Sequence, residues 1–67
     1  MNKLRLIQCG VGGFGRGWLS EITSKSADFE VVAIVDILPE NLTVAGAEVG
    51  IPVERQFSTL EAALEAV

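Results

Sequence analysis

The apolar positions of this chain fall into runs that alternate between two periodicities. Leu4, Leu6, Ile7 and Cys9 crowd the segment Lys3 to Cys9, interrupted only by Arg5 and Gln8. So little polar alternation predicts a parallel strand covered on both faces, with Cys9 a small buried residue before a turn. From Phe14 to about Lys25 the spacing changes, and Phe14, Trp18, Leu19 and Ile22 recur three and four apart. That is one face of a helix, with Trp18 in the core. Glu30 opens a second β-rich run, Val31 to Val35, which Asp36 closes. Pro39 suits the first turn of a second helix, Leu42, Ala45 and Val49 give its apolar face, and Gly50 terminates it. Ile51-Pro52-Val53 predicts a short third strand, confined by its proline to an edge or a strand start. Ser58 with Glu61 matches a capping box before a last helix, Thr59 to Val67, apolar at Leu60, Ala63, Leu64 and Val67. Strand and helix alternating three times predicts an α/β fold.

Composition narrows the classes of function. Hydrophobic residues make up 49% of the chain against 21% charged, which is globular and not disordered. At 67 residues a domain buries only about 60% of the surface its unfolded chain exposes, so stability is marginal without a ligand, a second copy or further chain. One cysteine and no histidine exclude an internal disulfide and argue against structural zinc. A net charge of −4, with Lys3, Arg5, Arg16, Lys25 and Arg55 scattered, makes nucleic acid and anionic membranes poor partners. The apolar runs are too short to span a bilayer and the N-terminus lacks a signal-peptide pattern, which reads as cytoplasmic.

The chemistry-bearing stretch is Gly10-Val11-Gly12-Gly13-Phe14-Gly15, between the first strand and the first helix. Gly10, Gly12 and Gly15 fit the G-x-G-x-x-G turn of dinucleotide-binding domains. The first glycine turns the chain sharply, the second admits a pyrophosphate, and the third lets helix and sheet pack closely. A glycine turn alone is a weak signal. Asp36, 21 residues beyond Gly15, stands where that pattern places the acid that accepts hydrogen bonds from the adenosine ribose. A carboxylate there repels a 2′-phosphate, and Ile37 and Leu38 follow it with no arginine, so NAD is expected over NADP. The bland alternative for Asp36 is a strand-end carboxylate facing water. The expected cofactor-contacting set is Gly10, Gly12, Gly13, Phe14, Gly15, Arg16, Asp36 and Ile37. For Arg16, a phosphate contact and a surface ion pair are both open. A triphosphate-binding loop fails, because Arg16 and Gly17 replace its lysine and hydroxyl. Cys9 has no histidine partner to make it a nucleophile, and the glutamates fall at spacings of a solvated helix face.

In the stretches KLRLIQCGVGGFGR, VVAIVD and GIPVERQFSTLEAAL, the chain resembles the N-terminal part of the glucose–fructose oxidoreductase and inositol dehydrogenase family. The resemblance implies a half-Rossmann β-α-β-α-β-α unit with a three-layer arrangement and strand order 3-2-1. It implies an NAD(P)-dependent oxidoreductase acting on a sugar, polyol or similar hydroxyl-bearing substrate, with Gly10, Gly12, Gly15 and Asp36 as cofactor residues. The family's catalytic lysine, in a Glu-Lys-Pro motif, and its substrate domain have no counterpart here, so the piece itself is expected not to be catalytic. The outer edge of strand 1 is then unpaired and apolar, and pairing with a second copy is expected to cover it. Two other classes stay open: a non-catalytic nucleotide or coenzyme A-binding module, and a structural half-domain that self-associates and binds nothing.

Overall fold

The computed structural model describes residues 4–19, 25 and 27–67, with the side chains of Phe14 and Arg16 outside the description. Three parallel strands form one sheet: β1 (Leu4–Cys9), β2 (Phe29–Val35) and β3 (Gln56–Phe57). Their order is β1-β2-β3, which is 3-2-1 read from the opposite edge. Between and after them lie α1 (Phe14–Trp18), α2 (Pro39–Val49) and α3 (Leu60–Ala66).

β2 is central because it pairs with β1 on one edge and β3 on the other, and its successive side chains serve opposite faces of the sheet. Ile34 packs with Val11, Leu19, Leu42 and Ala45, whereas Ala33 and Val35 pack with Ala63 and, more peripherally, Ile7, Phe57 and Val67. One face of the sheet is therefore covered by α2 together with the chain leaving α1, and the other by α3. One residue breaks the strict alternation. Leu6 pairs with Val31 but Ile7 pairs with Ala33, so Val32 is an extra residue, a bulge. The bulge shifts parity and brings Val31 to the same cluster as Ile34. The guanidinium of Arg55 donates to the carbonyl of Val32 at 3.4 Å, giving that displaced acceptor a partner.

α2 matches the sequence expectation: Pro39 opens it, Leu42 and Ala45 are buried, and Gly50 ends it in the left-handed region at φ 75°. Four expectations are corrected. The third strand is not Ile51-Pro52-Val53. The Ile51 N–H is engaged by the Gly46 carbonyl at 2.9 Å to finish α2, and Pro52 has no N–H. A short 3-10 turn (Val53–Arg55) follows, leaving Val53 72% exposed, so the first residues able to pair with β2 are Gln56 and Phe57. The last helix is capped by Thr59, not Ser58: the Thr59 hydroxyl accepts from the Ala62 N–H at 3.1 Å. Of its apolar stripe, Ala63 is buried and Val67 half-buried, while Leu60 and Leu64 stay exposed because among the described residues no layer lies outside α3.

The remaining correction concerns the first strand and helix. β1 is half-buried at best and Cys9 is exposed, because among the described residues β1 has a neighbour on only one side. Of the two neighbours expected on the apolar face, Leu19 is fully buried as expected, whereas Trp18, expected in the core, is 47% exposed. Adjacent residues on a helix are about 100° apart, so turning Leu19 fully inward leaves Trp18 at the edge of the apolar face. The described part of α1 is shorter than predicted, and Ile22 lies outside the described residues. No described helix is long and apolar enough to cross a membrane.

Candidate functional site

The glycine turn leaves β1 at its C-terminal end. The Gly10 N–H continues the ladder to the Val35 carbonyl at 2.7 Å, after which Gly10 adopts φ 85°, a conformation that favours glycine. A β-carbon on Gly15 would overlap the carbonyl oxygen of Gly10, so this glycine lets the start of α1 lie against the end of β1. Gln8, the polar interruption in the first apolar run, braces the same contact: its amide donates to the Gly15 carbonyl at 2.7 Å. Gly10 and Gly15 thus have the geometric roles that their spacing suggested. Gly13 is also in the left-handed region, at φ 51°.

Asp36 stands beside this turn, half-buried at the tip of β2. Its Oδ2 accepts from the Val11 N–H at 3.0 Å, and its Oδ1 accepts from the Leu38 N–H at 2.9 Å and from the Asn41 amide at 3.3 Å. The Leu38 contact is an Asx turn that starts the chain toward α2. These donors hold the carboxyl below the usual carboxylate range: first the Leu38 N–H, then Val11, against a smaller opposing effect of burial, with Asn41 and the Gly12 N–H adding to the lowering. At neutral pH Asp36 is therefore an anion that only accepts hydrogen bonds. It suits recognition of hydroxyl groups and does not supply a proton.

The structure therefore brings Gly10, Gly12, Gly13, Gly15 and Asp36 together. Ile37, next to the acid, is 83% exposed and Leu38 is exposed as well, an apolar lip beside the carboxylate. For Phe14 and Arg16 only the backbone lies within the description. Among the described residues no three histidine, cysteine, aspartate or glutamate side chains converge as a metal site would require.

One member of the site was missed. Asn41 reaches back from the first turn of α2 so that its carboxamide both donates to Asp36 and fills the space where a β-carbon on Gly12 would lie. Side chains on a helix lean toward its N-terminus, so a polar residue early in the helix after the acid was the available signal. Gly12 accordingly has a reason internal to the fold: it makes room for Asn41. Comparison with protein-family models, with curated proteins and with solved structures gives no match. The functional reading rests on geometry and on the sequence pattern.

Proposed function

We propose that this chain binds NAD through the glycine turn and Asp36, as the first half of the dinucleotide-binding domain of an oxidoreductase that acts on a hydroxyl-bearing substrate such as a sugar or polyol. The observation that carries the reading is the 3.0 Å contact between the Asp36 carboxylate and the Val11 N–H. It seats an ionised acceptor on the lip of a bend that has no side chain at Gly10, Gly12 or Gly13. That is the arrangement an adenosine ribose and its pyrophosphate need from adjacent strand ends. The change of face between α2 and α3 supports it too. In a doubly wound sheet, the helix after the third strand is the one that carries the chain to the far side of β1. Whether supplied by further chain or by a second copy, a neighbour for the outer edge of β1 is part of this proposal, because β1 presents apolar side chains and, among the described residues, only β2 lies beside it.

A second reading is favoured by the internal hydrogen bonds. Asp36 and Gly12 already have partners within the chain, so the turn can be a structural tie between strand ends that binds nothing. Titration with NADH and NADPH, read by nicotinamide fluorescence and calorimetry, separates the two. The dinucleotide reading expects saturable binding with NADH preferred, and a reduced NADH-to-NADPH preference in Asp36→Asn, because the charge that repels a 2′-phosphate is gone. Absence of saturation by either cofactor on folded protein removes the NAD reading and leaves the structural tie as the one the internal hydrogen bonds favour.

A further inference from the structure

In the space over Gly12, a described side chain and the proposed ligand compete. A pyrophosphate must approach the backbone at Gly12, and the Asn41 carboxamide stands there, tied to Asp36 Oδ1 by a 3.3 Å hydrogen bond. That bond is long for its type. The Leu38 N–H, at 2.9 Å on the same oxygen, holds the carboxylate without it. We infer that Asn41 is a ligand-contacting residue that exchanges partners on binding, releasing Asp36 and donating its carboxamide N–H to a phosphate oxygen held against Gly12. This rests on the dinucleotide reading of the site and names a recognition group that neither the glycine spacing nor the acid provides.

The hydrogen-bond inventory favours the exchange. In the free chain, one weak contact joins Asn41 to Asp36. After exchange, Asp36 Oδ1 regains a lone pair for a ribose hydroxyl, and the Asn41 donor meets a charged oxygen, the stronger class of neutral-donor contact. Within the chain one weak bond is given up, and the two bonds made to the ligand replace bonds that its hydroxyl and phosphate oxygen make to water. A leucine at this position would fill similar volume with no donor. A glutamine keeps the carboxamide on a longer stem.

The test is a set of NMR titrations of the full chain with ADP-ribose and with adenosine, comparing wild type with Asn41→Leu and Asn41→Gln. The amide spectrum reports folding in the same experiment. A hydrogen bond to a charged acceptor corresponds to about tenfold or more in affinity. The expected result is therefore ADP-ribose binding weakened about tenfold in Asn41→Leu, largely restored in Asn41→Gln, with adenosine changed by less than about twofold. In wild type, the Asn41 side-chain amide resonances should move with ADP-ribose to positions that adenosine, which lacks the phosphates, does not produce. Unmoved resonances, or equal weakening of both ligands by Asn41→Leu, would overturn the phosphate contact while leaving the dinucleotide reading intact. No saturable shift with ADP-ribose in wild type would overturn both. If Asn41→Leu does not fold, the wild-type side-chain resonances decide alone.

Discussion

Asp36 is a strand-end acid whose carboxylate joins two elements that sequence separates. It receives N–H groups from Val11, on the β1 side, and from Leu38, at the entry to α2. Because those donors favour the ionised form, its protonation in the folded chain requires a lower pH than in the unfolded chain. The sign follows from linkage. The contribution to stability is present above the unfolded carboxyl range, near pH 4, and is lost as pH falls through the depressed folded value. Wild type should therefore lose more stability than Asp36→Asn as pH falls below the unfolded carboxyl range, and the difference between the two should shrink as Asp36 becomes protonated in the folded chain. Urea melts over a pH series check it, and parallel curves would show that the contacts do not favour the ionised carboxylate. This residue and Gly10, Gly15 and Gln8 were visible in the sequence as a spaced set or an interruption. Asn41 was not, because only the direction in which a helix tilts its side chains brings it back over Gly12.

Between elements, the sequence pattern succeeded where burial is two-sided and failed where hydrogen-bond accounting decides. β2 and α2 were legible, since Ile34, Leu42 and Ala45 are buried in one cluster and the helix ends are marked by Pro39 and Gly50. β3 was not. Ile51 and Val53 look like strand residues, yet the Ile51 N–H closes α2 and the chain must pass Pro52 and a 3-10 turn before it can pair. The start of α3 shows the same principle on a smaller scale. Ser58 and Glu61 fit a capping pattern, but the hydroxyl that meets an amide is that of Thr59, on Ala62. Thr59→Ala should therefore cost about 1 kcal/mol of stability, and Ser58→Ala less than about 0.5 kcal/mol. Denaturant melts of the two variants distinguish them. A larger loss in Ser58→Ala would return the cap to the position that the sequence pattern favoured.

At the scale of the whole molecule, large apolar residues are exposed on β1, α1, α2 and α3 alike among the described residues. The accessible surface is 4436 Å², against about 4,100 Å² expected for a folded monomer of this mass. Leu4 on β1 is 66% exposed, and Cys9 at the other end of the strand is exposed as well. An open parallel edge with apolar side chains presents backbone donors and acceptors that another strand can satisfy, and a charge on such an edge suppresses that pairing. If the proposed neighbour of β1 is a second copy, wild type should sediment as a dimer at high micromolar concentration and dissociate on dilution. Leu4→Lys should shift that equilibrium strongly toward monomer. Because Leu4 is already largely in water, the substitution should leave the monomer's own stability nearly unchanged. Sedimentation velocity over a concentration series, with thermal melts of both proteins at the dilute end, measures the two effects separately. A wild-type chain that stays folded and monomeric throughout would remove self-pairing from the proposal. The strand edge would then need another segment of chain, and the NADH titration would still stand or fall by itself, since Asp36 and the glycine turn lie at the ends of the strands and not along that edge.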